Sequence, residues 1–418
     1  MIVSILAAGT RGDVQPPAAL ALRLASRGHE VRLLAHSEFE SLVAGSDVVF
    51  KTLPGDLRKE LDSDGSKTFF ASGGNPLGFV RWFMDLAKRY TAETTPLARD
   101  YCAGSDVIVS TGLMDYFGTV LGQSLRIPCV HAWMQPVEPT GDYPFPMFPP
   151  PRWPRWMNRA STRLAFNGMW LGTRPLSKLM HQILELPRPP WRNPMGARQS
   201  PNDRHLMAYS EALVPRSPEW PSNLDVTGFW FLDRPTDWTP PDALARFIKA
   251  GPAPIYIGFG SMIMKDPAAT VAAVLEAIDR TKFRAVISAG WGGLRPSNLP
   301  DTVFAIDAVP HDWLFPKMAA IVHHGGAGTT GAASRAGKPQ VVVPFISDQF
   351  FWADQLRKRG VAPASVPHKK LTTDKLTSTL NIALSDNAMR QRASDLGERV
   401  RAEDGTARAA ETIETVRV

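Results

Sequence analysis

The stretch "IVHHGGAGTTGAA", residues 321–333, sets an apolar run before two histidines and a series of small residues. Interpreted as a buried strand, a glycine-rich turn and a helix, it has the order of elements at which open parallel sheets bind ligands. The free N–H groups and positive dipole end of such a helix favour an anion. By itself the stretch is equally consistent with a phosphate site and with a tight turn.

A metal site is disfavoured in this stretch. Adjacent strand histidines point to opposite faces, so only one of His323 and His324 can face a ligand, and no further ligand stands at metal-binding spacing. His324 is the candidate, while His323 is expected to pack on the other face of the sheet.

Similar apolar runs recur on both sides of this stretch and alternate with helical patterns, which indicates the α/β class with parallel sheets. A proline-rich segment and the linker "LDRPTDWTPPD" separate two such series. We therefore expect two Rossmann-like domains that face each other across a cleft, at 1–235 and 236–418, with the last helix a candidate to return to the first domain. The predicted strands are 2–8, 30–36, 106–111, 128–133, 204–210 and 224–231, then 254–261, 283–290, 303–309, 319–325 and 340–345.

Composition excludes several classes of protein. The 418 residues carry a net charge of +7, from 47 basic and 40 acidic side chains without a long Lys/Arg block, so a nucleic-acid partner is not expected. Cys102 and Cys129 show neither disulfide nor zinc spacing, and a reducing cytoplasm is the default location. The first apolar run, about seven residues, is too short for a signal peptide or a membrane span.

In the second series, polar side chains follow several predicted strands. Ser261 in "GFGSM" suits a phosphate oxygen or simply ends a turn. Asp348 and Gln349 begin a helix, where a carboxylate and an amide can bind neighbouring sugar hydroxyls, although a helix N-cap is an equal alternative.

In the first series, "GTRGDVQPP" places Asp13 at the head of the first helix, with Pro16 and Pro17 expected in its first turn. A carboxylate at this point could act as a general base toward a hydroxyl, although an N-cap is the simpler interpretation. His36 and Asp115 also follow predicted strands and are weaker candidates of the same kind.

Taken together, these motifs resemble a known family. The segment "VPHDWLFPKMAAIVHHGGAGTTGAASRAGKPQVVVPFISDQFFWADQL" is similar to the donor-binding signature of family 1 glycosyltransferases, in the branch of sterol glucosyltransferases and vancomycin-type antibiotic glycosyltransferases. "GTRGDVQP", "PIYIGFGSM", "AGWGGL" and "TGFWFLDRP" resemble the same branch. The resemblance implies a GT-B fold and an inverting, metal-independent transfer from a nucleotide sugar, without a resident cofactor.

The resemblance also implies roles for individual residues. Asp13 would be the general base, His324 a diphosphate ligand, and Asp348 with Gln349 the ligands of the sugar hydroxyls. The nucleobase would lie against the loop at Val309, near Trp291. The remaining diphosphate contacts would be Ser261, Gly326, Ala327, Gly328 and Thr329. UDP is the favoured nucleotide. Many plant relatives carry a ribose-binding glutamate where this chain has Ala332, and its absence leaves a thymidine nucleotide open as the alternative.

Acceptor choice is expected in the first domain. Segments 78–90 and 141–166 carry many large apolar side chains in sequence that looks like loop, and they suit a lipophilic acceptor such as a sterol or a polyketide or polyphenol product. Candidate acceptor residues are Asp115, Trp133 and Phe145. Ordinary core aromatics are the alternative, and "RWPRWMNRASTR" could instead rest on an anionic membrane as a peripheral contact.

We therefore expect a glycosyltransferase that moves a hexose, glucose favoured, to a lipophilic hydroxyl. The alternatives are a nucleotide-sugar epimerase or hydrolase, and an antibiotic glycosyltransferase that uses a TDP-deoxysugar. A binding module without the base is disfavoured by Asp13. A nicotinamide dehydrogenase is disfavoured because "GTRG" lacks the G-x-G-x-x-G spacing.

Overall fold

The computed structural model describes residues 1–55, 76–147, 153–260, 262, 264, 266–288 and 299–416. Its two parallel sheets confirm the expected α/β class and the pair of Rossmann-like units. Two predicted donor-binding residues, Ser261 and Trp291, lie outside the described residues.

The first sheet contains seven parallel strands in the order β3-β2-β1-β4-β5-β6-β7. Val3 of the central strand pairs with Val31 on one side and with Val107 on the other. Because both faces are covered by helices, the central strands β1 and β4 are buried along almost their whole length. The strands are β1 (Ile2–Leu6), β2 (Glu30–Ala35), β3 (Val49–Thr52), β4 (Val107–Thr111), β5 (Cys129–Trp133), β6 (Arg204–Met207) and β7 (Leu224–Val226).

The second sheet contains five parallel strands in the order β10-β9-β8-β11-β12. In both sheets the strand order reverses beside the first strand, between β1 and β4 and between β8 and β11. Ligands of open α/β sheets bind at such switch points, beyond the carboxyl ends of the strands. The strands are β8 (Ile255–Gly258), β9 (Ala285–Ser288), β10 (Val303–Ile306), β11 (Ile321–His323) and β12 (Gln340–Val342).

Helices cover both sheets. Those of the first unit are α1 (Arg11–Ser26), α2 (Pro76–Cys102), α3 (Asp115–Leu125) and α4 (Arg155–Ile183). The remaining helices are α5 (Asp242–Lys249), α6 (Pro267–Thr281), α7 (His311–Leu314), α8 (Ala327–Arg335), α9 (Gln349–Lys358), α10 (Thr373–Ser385), α11 (Asn387–Arg401) and α12 (Gly405–Glu414). In the described part of the chain, no helix combines the length and apolar character needed to cross a membrane.

Two apolar cores contain residues from both halves of the chain. Helix α12 packs on the first sheet's helix α1, where Ala410 and Ile413 share a core with Leu24, and Arg27 forms an ion pair with Glu414 at 2.7 Å. A second apolar core joins aromatic residues of both units around Trp352. The boundary at 235/236 stays a prediction.

Three sequence expectations were wrong. Segment 78–90, which looks like loop in the sequence, lies within helix α2. Helix α1 begins at Arg11, so Pro16 and Pro17 lie in its second turn, where their missing N–H groups leave the carbonyls of Gly12 and Asp13 without the usual partner. The loop-like segment 141–166 enters the long helix α4 at Arg155, directly after a proline. A proline run predicts a break, but prolines are well tolerated immediately before a helix.

Candidate active site

The first half of the site is the turn between β1 and α1. Both the backbone N–H and the hydroxyl of Thr10 donate to Oδ2 of Asp13, at 2.7 and 2.9 Å, which fixes the carboxylate at the third position of the helix. Gly9 has φ +131°, and a Cβ there would stand 2.4 Å from the same oxygen. Glycine is therefore required for Asp13 to occupy this position.

Two opposing effects act on the pKa of Asp13. Burial raises the pKa of Asp13, and the two hydrogen bonds from Thr10 lower it by a smaller amount, so the net shift is upward. A raised pKa makes the carboxylate a stronger base than an exposed aspartate. Its environment is consistent with accepting a proton.

The second half of the site is the turn between β11 and α8. Gly325 has φ +93°, and a Cβ there would lie 2.9 Å from the carbonyl oxygen of Gln349. Gly326 forms the N-cap of α8 and provides no side chain to bond the N–H groups of the first turn. The amides at Ala327, Gly328 and Thr329 therefore have no partner within the helix and are available to an anion.

The two adjacent histidines have different environments. His323 is fully buried: its Nδ1 accepts from the N–H of Gly325 at 3.1 Å, and its Nε2 then donates to Oε1 of Gln340 at 2.9 Å. Burial lowers the pKa of His323 to about 3, so the ring is neutral. This histidine holds the glycine turn in place and has no capacity left for a ligand.

His324 lies beyond the end of β11, between Gly260 and Gly326. A Cβ at Gly326 would stand 2.5 Å from its Nε2, and one at Gly260 would stand 2.9 Å from its Cε1. Its Nδ1 is buried without a hydrogen-bond partner among the described residues. Burial lowers the pKa of His324 to about 4, so the ring is neutral. A buried polar atom without a partner indicates a place for a ligand.

Asp348 immediately precedes α9 and faces the same cleft. Its Oδ2 accepts from the indole N–H of Trp352 at 2.9 Å. Burial raises the pKa of Asp348 to about 6, with a further contribution from the negative charge of Asp13 across the cleft. The two carboxylates therefore influence each other although they belong to different units.

Gln349 is largely engaged within its own unit. Its Oε1 accepts from the backbone N–H groups of Phe345 and Ile346, at 2.7 and 3.1 Å, and its Nε2 points to the sulfur of Met262 at 3.1 Å. The amide thus stabilises the loop that carries Asp348. In this conformation only its NH₂ group, which donates to the weak acceptor sulfur of Met262, has a donor left for a sugar.

The cleft contains two residues that sequence reasoning missed. His311, at the start of α7, stacks on Phe315 with ring centroids 4.1 Å apart. Burial lowers the pKa of His311 to about 4, and the positive charge of Arg11 lowers it further. Arg11 is the second of these residues. Arg11 and His311 lie in the motifs "GTRGD" and "VPHDW", but neither motif predicts that the two side chains come close to each other. Val309 precedes α7 and is half-buried.

Among the acceptor candidates, Asp115 has its carboxylate engaged by neighbours within the first unit. It is buried at the start of α3, and its Oδ1 bonds to Nδ1 of His131 at 2.6 Å and to the hydroxyl of Ser110 at 3.3 Å. Burial lowers the pKa of His131, but Cys129 and Asp115 raise it well above the ordinary value. Asp115 thus belongs to a polar cluster beneath α3, and this position gives no support to an acceptor role.

Trp133 and Phe145 have surroundings that suit an apolar ligand. Both pack edge-on against Phe166 on the inner side of α4, with ring centroids 6.1 and 5.5 Å apart. Trp133 ends β5 at the ligand edge of the first sheet, and it belongs with Phe166 to the apolar cluster that reaches Ala327. His36 is half-buried at the end of β2.

The described residues contain no group of three or more His, Cys, Asp or Glu side chains arranged to hold a metal ion. The arrangement instead offers hydrogen-bond donors to an anion on one side and a carboxylate on the other. This geometry suits a phosphorylated ligand next to an acceptor hydroxyl.

Two family models match this chain. Residues 3–113 match the glycosyltransferase family 28 N-terminal domain, and residues 285–416 match the C-terminal domain of the erythromycin biosynthesis protein CIII-like family. The first match contains Asp13, and the second contains His324 and Asp348.

Curated relatives match along nearly the whole chain. A sterol 3-beta-glucosyltransferase of Arabidopsis thaliana is 35% identical over 98% of this chain, and a second one from that plant is 32% identical over 97%. The sterol 3-beta-glucosyltransferase of Yarrowia lipolytica is 32% identical over 99%. The chain spans 64%, 66% and 28% of the length of these relatives, respectively.

Solved structures share the fold. The glycosyltransferase of kitacinnamycin superposes with a TM-score of 0.72 at 19% identity, covering 99% of this chain and 98% of its own. A spinosyn rhamnosyltransferase gives 0.68 at 19% identity, covering 99% and 100%. Both family models, the relatives and the shared fold together show that the chain belongs to the family 1 glycosyltransferases of the GT-B fold.

Proposed function

We propose that this protein transfers a hexose from a nucleoside diphosphate sugar to a hydroxyl group of a lipophilic acceptor, with inversion and without a metal ion. Glucose and UDP are the favoured donor groups, and a sterol, polyketide or polyphenol is the favoured acceptor class. One observation carries the proposal. A basic carboxylate, Asp13, faces the same cleft as a neutral imidazole with an unpartnered nitrogen, His324, from the opposite unit.

The proposed reaction uses these groups in sequence. Oδ1 or Oδ2 of Asp13 takes the proton of the acceptor hydroxyl, whose oxygen attacks the anomeric carbon from the face opposite the nucleotide. The bond from that carbon to the diphosphate oxygen breaks, and the electron pair stays on the diphosphate. The N–H groups at the start of α8 and an N–H of His324 meet the growing negative charge, as preorganised donors do in other transfer reactions. Asp348 binds sugar hydroxyls.

The acceptor side of the proposal rests on apolar surroundings. Trp133, Phe145 and Phe166 form a wall at the ligand edge of the first sheet, in a cluster that extends to Ala327 beside the proposed diphosphate site. A rigid apolar ligand would gain from burial against these rings. The named activities of the plant and fungal relatives support a sterol, and peripheral contact with a membrane belongs to the same proposal.

A second candidate differs in the donor. Three of the solved neighbours are complexes with thymidine diphosphate. This chain has Ala332, half-buried on α8, where a ribose-binding acid would favour uridine. A TDP-deoxysugar is therefore the alternative donor. A cytoplasmic location is also proposed, since Cys102 and Cys129 are free buried thiols.

The test incubates the protein with UDP-glucose or TDP-glucose and a panel of sterols and polyphenols, with products identified by mass. Asp13→Asn should lower the transfer rate by about 10² to 10⁴ while leaving the Kd for the nucleotide within about twofold. Asp242→Asn, which removes a first-turn carboxylate from α5, is the matched control and should retain transfer. Full activity of Asp13→Asn would refute the base. Release of nucleotide without any glycoside would favour a hydrolase or an epimerase.

A further inference from the structure

Helix α4 exposes large apolar side chains to solvent along one face. Trp156, Leu164 and Leu171 are 66%, 71% and 57% exposed, and their spacings of eight and seven residues place them on the same side of the helix. Trp191, 73% exposed, extends this side, because the guanidinium of Arg174 lies 4.2 Å from its ring centre. We call these residues the α4 surface.

The α4 surface is also basic. Helix α4 contains five Lys/Arg side chains and no Asp or Glu, and residues 152–192 contain eight basic residues against the single Glu185. Arg155 and Arg159 turn toward Glu219, with which both form ion pairs. Arg163 and Lys178 are exposed, and their helical positions place them among the apolar side chains.

The mixture of exposed tryptophan, leucine and cations is typical of helices that lie in the interface of a membrane. Tryptophan favours the headgroup level, and Lys/Arg side chains are attracted to anionic lipids. A symmetric pairing of two α4 surfaces would bring cations against cations, which disfavours a second copy of this chain as the occupant.

We propose that the α4 surface docks the protein on an anionic lipid bilayer. Its inner side bears Phe166, which contacts both Trp133 and Phe145 of the proposed acceptor wall. One helix thus separates the lipid from the place where a lipophilic acceptor would react. The docking thus assigns a surface to the membrane contact included in the proposed function, and its consequence for the acceptor rests on that function.

The test measures co-sedimentation with phosphatidylcholine vesicles that contain or lack phosphatidylserine. Wild-type protein should bind the anionic vesicles, with affinity that falls as salt is added. The triple variant Trp156→Ser, Leu164→Ser, Leu171→Ser should require at least about tenfold more lipid for half-binding. Lys178→Glu should weaken binding by about fivefold or more.

Matched controls remove similar groups elsewhere. Ile382→Ser on α10 removes an apolar side chain that is 46% exposed, and Lys249→Glu reverses an exposed charge on α5. Both should bind lipid within about twofold of wild type. Because all of these positions are exposed, the variants should melt near the wild-type temperature.

Several results would overturn the proposal. One is that wild-type protein does not bind anionic vesicles, and another is that the triple variant binds them as well as wild type. A third is that wild type forms a dimer that the triple variant does not form, while neither protein binds vesicles. Transfer to a water-soluble polyphenol separates this proposal from the proposed function. The triple variant should keep that activity, whereas a wild type that binds vesicles but transfers no sugar would refute only the proposed function.

Discussion

Replacing Trp352 by phenylalanine should shift the pH at which the enzyme loses activity. The indole N–H of Trp352 donates to Oδ2 of Asp348 at 2.9 Å, and the ring is fully buried, with its centroid 5.9 Å from that of Tyr209 in the other unit. Phenylalanine keeps an aromatic ring in this core but has no N–H. The carboxylate then loses the donor that favours its ionised form.

The size of the shift follows from that bond. A hydrogen bond to a charged group contributes about 1.5–3 kcal/mol, and one pKa unit corresponds to about 1.4 kcal/mol. Burial already raises the pKa of Asp348 to about 6. The substitution should therefore raise this pKa by about one to two units.

The assay is the pH dependence of kcat/KM for the nucleotide sugar. If the ionised carboxylate binds the sugar, activity falls as the pH falls through the pKa of Asp348, because the protonated form accepts fewer hydrogen bonds. The acidic limb should lie near pH 6 in wild type and higher in Trp352→Phe. Phe351→Leu is the control, since it disturbs the same core without touching the carboxylate and should lower stability while leaving the limb in place.

An acidic limb that stays at the wild-type pH in Trp352→Phe, while the rate falls equally at every pH, would refute this role of the indole N–H. That outcome would assign the tryptophan to packing alone. Asp348→Asn provides the second check, because it removes the titrating group and should remove this part of the limb.

Two further predictions concern the turns of the cleft. His324→Ala should weaken binding of a nucleoside diphosphate by about 1–3 kcal/mol, measured by calorimetry, because it removes one donor to the anion; unchanged affinity would exclude the imidazole from the site. Gly9→Ala should lower the transfer rate by at least about 10², since its Cβ would displace the carboxylate of Asp13. Gly28→Ala, with φ +86° and open space around the Cβ, measures backbone strain alone and should retain the rate.

Every described strand except β3 was predictable from sequence, because these strands contain buried apolar runs. Every strand expected from such a run is present, although the observed strands are shorter by one to five residues. β3 was missed, since Val49 and Thr52 are exposed at the sheet edge and the strand is not apolar throughout. Edge strands carry a weaker periodic signal than central ones.

The long helix α4 was not predictable from the same rules. Its aromatic and basic side chains show no single buried stripe, because one side packs on Trp133 and Phe145 while the opposite side is exposed and also apolar. A helix that is apolar on two sides lacks the polar face by which a surface helix is recognised. The prolines that precede the helix also favoured a loop, which was wrong.

The hydrogen-bond partners of the site residues could also not be predicted from the sequence. The motifs predicted which residues stand at the ligand ends of the strands, and the structure places His324 and Asp348 in one cleft with Asp13. They did not predict that Oε1 of Gln349 is taken by two backbone amides or that Asp115 is bound to His131. Hydrogen-bond partners distant in sequence depend on packing, which a local pattern does not contain.

The core around Trp352 connects the donor side of the cleft to the first unit. Tyr209 packs on this tryptophan from the first unit, and Phe229 lies so close to helix α8 that a Cβ at Gly331 would stand 2.7 Å from its ring. Helices α8 and α9, which carry the proposed diphosphate and sugar ligands, therefore rest on residues that precede the second sheet. Since protein cores are close-packed, a change in the angle between the units must disturb the rings around Trp352, and with them the hydrogen bond to Asp348. The geometry of the sugar site is thus tied to the relative position of the two units.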